Sequence, residues 1–442
     1  MNFKKLEAAC KALNITEVEI YHIEAEGSSI STFDGAVDQN VVYSKNEMYV
    51  RGVCSGHIAS LYIERDADAE IDNIVRRLIA NAGVIESEDP YFIYGGSDKY
   101  PPLPAESHDY DSFTQADKIA LCRKMEQLCK DRCEFVSTTE AAIDVETETI
   151  TIENSNGLSV SRTAVDAVIS CAAVIKKDGD VKQGYYVSHV KNLADIDYDK
   201  LYERAVERPL SAIGAKSMAS GQYPVVFENK MFASLLGCFL SMFSADAVIK
   251  KLSLLGGKVG EKVFGDNVTL VDDPLLEQSY ARVTFDDEGV AAFKKTVVEK
   301  GVLKTYLHNL KTAKMLNAES TGNGFKEGSG AVGVRPSNFC LVPDEAKTHE
   351  ELLAPIADGV YITQMMGQHA GVNAVSGAFN LQASGYRIRN GKLAEPVTLI
   401  VVSGNILDLM NSIEGIADDF EVNRLIGCGS VRVKSLSISG QN

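Results

Sequence analysis

No two of the seven histidines in this 442-residue chain lie four residues apart, so neither H-E-x-x-H nor H-x-x-x-H occurs. A helical zinc site needs two imidazoles on one face, one turn apart, and the common local version is therefore excluded. The nine cysteines contain no C-x-x-C and no paired framework. That argues against a zinc ribbon, a thioredoxin-like redox pair and a disulfide scaffold, and the scattered usage fits a reducing cytoplasm. Cys122, Cys129 and Cys133 recur at helical spacing in "CRKMEQLCKDRC". Three thiols on one helix are ligand-type groups, but small hydrophobes on a buried helix face explain them more simply. G-x-S-x-G is missing, which removes the nucleophile elbow. "GGKVGEK" (256–262) lacks phosphate-loop spacing, and "GNGFKEGSGAVG" (322–333) lacks a strand-to-helix context, so both read as turns. A Cys–His pair or a zinc site assembled from distant residues stays open.

Basic runs are absent too. Lys and Arg number 44 against 61 Asp and Glu, a formal net charge of −17, which disfavours general nucleic-acid binding. The uncharged apolar run Met231–Ser244 is well short of the roughly 20 residues a membrane span needs. The first residues read as an amphipathic helix followed by a strand rather than as a secretion signal. The expectation is a cytoplasmic protein without a membrane role.

What is present describes a globular chain: 45% hydrophobic and 24% charged residues. The length predicts two domains, and the boundary is placed near Ala215, giving 1–215 and 216–442. In the first half, "ITEVEIYHIEA" alternates at period two, and Asp34-Gly35, Gly52 and Gly56 punctuate further strand pieces. A helix is expected over "DADAEIDNIVRRLIANAG", then a loop over 86–112 and a helix over Thr114–Cys133. Asn156-Gly157 and Asp178-Gly179 are the strongest hairpin signals. "DYDKLYERAVERPLSAIGAKS" reads as a helix with a late proline. In the second half a helix is expected over 235–251, "LLGCFLSMFSADAVIKK". Strands follow at "NVTLVDD", "ARVTFDDEG", "KKTVVEKGVLKTY", "PSNFCLVPD", "GVYITQM", "YRIRNGKLAEPVTLIVVSGNI" and "SVRVKSLSIS". The class is α+β, with mixed and largely antiparallel sheets and flanking helices.

"FDDEG" sets Asp286, Asp287 and Glu288 before Gly289. Such carboxylates can hold a cation or do acid–base work, with His308 as a possible companion. The plainer reading is an acidic turn in which Gly289 supplies an unusual backbone angle.

The same region carries a resemblance. Asp272-Asp273-Pro274, Phe285–Gly289, "GVLKTYLH" (301–308) and "STGN" (320–323) occur in one order, followed by "SGAFNLQASGYRIRNGKLAEPV" and "SVRVKSLSISG". This series resembles the Tld/PmbA family, the so-called modulators of DNA gyrase, over about 220–440. The resemblance implies a PmbA/TldD-like fold and a two-subunit cytoplasmic peptidase linked to peptide maturation and to control of a toxin–antitoxin system. One subunit type, TldD, carries H-E-x-x-x-H on a helix, and a downstream cysteine completes its zinc site. The other, TldE or PmbA, keeps the fold without those ligands. Against the zinc-bearing "LLHEAVGH", this sequence reads "LLGCFLSM". Gly237 and Met242 stand at the histidines and Cys238 at the glutamate. None replaces the lost chemistry, since glycine has no ligand atom and methionine is a poor zinc ligand. Cys428 is not promoted to a ligand. The resemblance therefore implies a TldE-like chain with no metal or other cofactor of its own. Its partner would be a zinc-bearing TldD-like subunit, or a second copy when alone, and its substrate a peptide. Two alternatives stay open: a hydrolase in its own right, and a protein-binding modulator of gyrase.

Overall fold

The computed structural model describes residues 1–64, 68–85, 92–103, 107–326 and 330–441. Parts of two expected features lie outside them: 86–91 and 104–106 of the 86–112 loop, and 327–329 of the glycine-rich stretch. So do Asp66 and Ala67 at the start of an expected helix. The chain divides into two compact units, Met1–Asp98 with Pro104–Ile213, and Lys99–Leu103 with Gly214–Asn442.

The first unit is built on one antiparallel sheet in the order β3-β2-β1-β4-β5-β6. Its strands are β1 (Val18–Phe33), β2 (Ala36–Cys54), β3 (His57–Ile63), β4 (Val136–Asn154), β5 (Ser159–Lys177) and β6 (Asp180–His189). Asp34-Gly35, Ser55-Gly56 and Asp178-Gly179 close two-residue hairpins with positive φ at both positions, the geometry that suits the strand twist. Gly52 does not end a strand. It lies inside β2, where a Cβ would stand 3.3 Å from Ile15 and 3.4 Å from Leu78; the glycine permits close packing rather than a turn. Helices α1 (Phe3–Ala12) and α2 (Ile71–Ala82) pack Leu6, Ile74 and Leu78 with Ile20, Met48 and Val50. Helix α3 (Gln115–Arg132) starts at a Thr114–Asp117 capping box. It places Cys122, Met125 and Cys129 in a second cluster with Ile30, Ile143 and Ile169. The helix expected after residue 197 is divided into α4 (Tyr198–Tyr202), a π turn (Glu203–Glu207) and α5 (Arg208–Ser211). Pro209 has no N–H to continue the α ladder, so the regular repeat fails just before it.

The second unit continues with β7 (Gly221–Phe227), β8 (Thr269–Asp272), β9 (Lys295–Glu299), β10 (Val302–Leu303), β11 (Gly324–Lys326), β12 (Val332–Val334) and β13 (Phe339–Val342). Its later strands are β14 (Asp358–Met366), β15 (Val372–Asn373), β16 (Ala378–Arg389), β17 (Lys392–Asn405), β18 (Ile413–Ile416), β19 (Glu421–Asn423), β20 (Ile426–Cys428) and β21 (Val431–Ser439). Strands β14, β7, β21, β17 and β16 pair in that order, and β16 pairs back to β14, so the sheet closes on itself. A mixed sheet runs β10-β9-β8-β13-β20-β19, with β13 and β20 parallel. Helix α6 (Asn229–Gly237) buries Phe232, Leu235 and Leu236 in one cluster with Val225 and Phe227 of the closed sheet and Leu270, Phe339 and Ile426 of the mixed sheet. At about 25 cal/mol per Å² of apolar surface, such burial is the main force ordering this unit.

Two expectations change here. No strand forms over 281–289; only a bridge between Phe285 and Ala291 does. The helix expected over 235–251 is broken. Helix α6 ends at Gly237, a 3₁₀ turn covers Leu240–Phe243, and α7 spans Ala245–Ile249. Leu307 separates the 3₁₀ turn from α7: its N–H donates to Phe243 O, and its C=O accepts from Ala245 N. Ser244 is thereby held extended, between two helical pieces. No helix among the described residues is long and apolar enough to cross a membrane.

Candidate functional site

Two places in the second unit were singled out by sequence, and each is built differently. The first is α6 and the turn after it. Gly237 is the last helical residue, and a Cβ there would meet Ile426 Cδ1 at 3.1 Å. Cys238 caps the helix end and donates its thiol to Ser234 O at 3.3 Å; burial pushes its pKa up. Met242 is buried in the apolar cluster beyond the break. Residues at i and i+5 on a straight helix point about 140° apart. Here the regular helix ends at Gly237 and a 3₁₀ turn follows at Leu240–Phe243, so 237 and 242 do not share one straight helix.

The side chains do not fit zinc. Gly237 offers no donor and Met242 only a thioether, a poor match for an ion that takes imidazole, thiolate or carboxylate. Cys428 donates its thiol to Asn229 O at 3.3 Å. The thiol also takes a backbone hydrogen bond from Ala233, in the middle of α6. Complete burial pushes the Cys428 thiol far above the ordinary range, whereas a zinc ligand must be a thiolate. Among the described residues no three His, Cys, Asp or Glu side chains converge as metal ligands.

The second place is the acidic turn, neither an exposed loop nor an open cleft. Asp286, Asp287 and Glu288 are 0%, 6% and 6% exposed. Asp286 Oδ1 accepts from the N–H of Glu288 and Val290, both at 3.0 Å, and Oδ2 accepts from Gly324 N at 2.9 Å. Asp287 accepts from Lys326 N at 2.8 Å, and Glu288 from Leu310 N at 2.7 Å. Gly289 takes φ +82°, the left-handed angle the turn requires. Burial, reinforced by the Glu288 charge, raises the Asp286 pKa, against the three N–H donors that favour its anion. His308 is buried as well. Its carbonyl accepts from Thr321 N and Asn323 N, its Nδ1 has no hydrogen-bond partner, and burial lowers its pKa. The fold therefore gathers all four candidates, but through main-chain bonds: the carboxylates fasten β11 and the chain after His308 onto the acidic turn.

Sequence reasoning missed the ion pair beside them. Asp272, fully buried at the end of β8, meets Lys295 Nζ of β9 at 3.2 Å. Asn323 Nδ2 donates to the same Oδ2 at 2.8 Å, and its Oδ1 accepts from Lys295 at 3.1 Å. The other oxygen of Asp272 accepts from Ser337 N and Asn338 N at 2.8 and 2.9 Å. Burial lowers the Lys295 pKa while Asp272 holds it up. The signal was the alternation of β9, which sets Lys295 on the inward side with Val297.

A groove of about 620 Å³ runs along Met366–Asn373 and Ala378–Gln382. Asn373, Asn380 and Gln382 line it with Met366, Val372 and Phe379, and no lining residue is titratable. Such a surface can take an uncharged segment but offers it no acid, base or nucleophile.

Comparison with known proteins follows the same division. The PmbA/TldA metallopeptidase C-terminal domain matches residues 220–440, and the central domain of that family matches residues 108–212. "Metalloprotease PmbA" of Escherichia coli O157:H7 is 24% identical over 98% of this chain and 96% of its own. A "Metalloprotease" of Archaeoglobus fulgidus is 32% identical over 67% of this chain and 69% of its own. A Thermotoga maritima structure, named for modulation of a DNA gyrase, superposes with a TM-score of 0.90 at 30% identity, covering 99% of both chains. TldE of Thermococcus kodakarensis shares the fold, with a TM-score of 0.89 at 20% identity and 99% coverage of both chains.

Proposed function

Because this chain belongs to the PmbA/TldA metallopeptidase family, we propose that it is the non-catalytic, TldE-like subunit of a peptidase whose zinc sits on a homologous partner. One observation carries the reading: the ligand positions on α6 and its turn hold Gly237, Cys238 and Met242, which provide no zinc donor set. The acidic turn does not substitute for them. Each of its carboxylates is engaged by main-chain N–H groups in the interior, so none is presented to a substrate. The role left to this chain is to bind and orient. The uncharged groove at Met366–Gln382 suits an extended peptide, whose amides can pair with Asn373, Asn380 and Gln382.

The test is elemental analysis of the purified chain together with a peptide-cleavage assay, alone and with a zinc-bearing homologue from the same cell. Zinc far below one per chain is expected, with cleavage only in the mixture. Tight one-to-one zinc, or cleavage by the chain alone, overturns the proposal.

A further inference from the structure

Three of the nine cysteines sit on α3 or at its end, and the fold brings a fourth to them. The inward side of β5 repeats at period two: Ala167, Ile169, Cys171, Ala173 and Ile175, each no more than 1% exposed. Helix α3 lays Cys122, Met125 and Cys129 in the same cluster, all fully buried. Cys129 and Cys171 meet there, sulfur to sulfur at 3.8 Å. Among the described residues no other two cysteines make such a contact. Elsewhere the thiols turn to main-chain oxygens. Cys54 donates to Gly52 O, Cys238 to Ser234 O, Cys340 to Asn338 O and Cys428 to Asn229 O.

The contact is close to what a bond would need. Disulfide sulfurs lie about 2.05 Å apart, so each sulfur has to move by roughly 0.9 Å, a shift within reach of a small turn about χ1. The residue paired with Cys171 across β4 is Ala141, whose methyl group crowds the thiol little.

We propose that Cys129 and Cys171 are a redox pair, which a peroxide closes to a disulfide that clamps α3 onto β5. The two thiols are unlike. Their shared hydrogen bond lowers the Cys129 pKa against its burial, and the same bond, with burial, raises that of Cys171. Cys129 is therefore the nucleophile, since the thiolate is the reacting form. Its sulfur attacks one peroxide oxygen, the O–O bond breaks, and the departing oxygen leaves as water, giving a sulfenic acid on Cys129. The Cys171 sulfur then attacks the Cys129 sulfur, the S–O bond breaks, and a second water leaves. The two thiols lose two electrons and two protons, and the peroxide is reduced to two waters. Burial gates the reaction, because the oxidant enters on local opening around α3.

Neither zinc content nor peptide cleavage reads this pair, so the inference goes beyond the proposed function and fails separately from it. The folded full chain is treated with hydrogen peroxide and the oxidant removed. The free thiols are then alkylated in urea, and the chain is digested without reductant. Two of the nine thiols should be lost, the peptides carrying Cys129 and Cys171 should be joined, and dithiothreitol should restore both. Cys122→Ala, on the same buried face of α3, should keep the link. Cys171→Ala, its fold checked by circular dichroism, should keep all its remaining thiols. Because the link joins residues 42 positions apart, it should raise the thermal midpoint by about 5 °C or more. Nine alkylated thiols after oxidation, a link through another pair, or a linked chain no more stable than the reduced one overturns the inference.

Discussion

The acidic turn and the end of α6 lie in the same unit, and both were marked by sequence as places where chemistry could sit. They differ in what their side chains do. Around Asp272 and Asp286 polar groups are buried and engaged: Asp272 holds Lys295, Asn323 and two main-chain N–H groups, and Asp286 holds three. At the end of α6 the positions are small, weakly polar or apolar, and the nearby thiols of Cys238 and Cys428 are bonded to the main-chain oxygens of Ser234 and Asn229. A cluster of carboxylates is therefore no better guide to catalysis than its absence. What matters is whether an oxygen is left over after the backbone has been served.

The largest effect is expected at the ion pair. Asp272→Ala leaves Lys295 buried without its counter-charge, which should cost about 3–5 kcal/mol and be seen as a lower thermal midpoint. A variant as stable as the parent would mean that the network is dispensable. Glu288→Ala comes next. It frees Leu310 N and should cost about 1–3 kcal/mol, the range for a buried group left unsatisfied. Glu288→Gln keeps an acceptor oxygen and should lose less in the same unfolding assay.

The α6 side of the comparison is sharpened by restoring imidazoles. Gly237→His with Met242→His should still bind zinc well below one per chain, because the fully buried Cys428 thiol is held protonated, with its pKa pushed up by burial. Elemental analysis after dialysis checks this, and stoichiometric zinc would show that another donor reaches the pair. The smallest effect is a pH dependence. Burial sets the folded pKa of His308 below its unfolded value of about 6.5. Its neutral form is thus the one compatible with the fold. Stability is full above that value and falls as pH drops through it towards the folded pKa. His308→Gln should flatten the loss of stability between about pH 7 and pH 5, read from denaturation midpoints at each pH.

Much of the fold was legible residue by residue. Asp34-Gly35 and Asp178-Gly179 closed hairpins because both residues of each pair tolerate positive φ. The capping pair Thr114 and Asp117 fixed the start of α3. Gly52 misled because the same absence of a Cβ serves a turn or a close approach, and only Ile15 and Leu78 decide which. The "ARVTFDDEG" segment misled because its carboxylates satisfy the backbone that a strand partner would otherwise have served.

By itself, the sequence determined the elements whose signals are local, and the donor chemistry at 237, 238 and 242, since no fold can give glycine or methionine an imidazole. Tertiary structure alone decided that the 3₁₀ turn and α7 part at Ser244, because the hydrogen bonds that hold Ser244 extended come from Leu307, 63 positions away. It alone decided that Asp286, Asp287 and Glu288 fasten the interior, and that Lys295 belongs to Asp272. A carboxylate or an ammonium reads the same in sequence whether water or a buried N–H completes it, and only the packed chain brings that partner within reach.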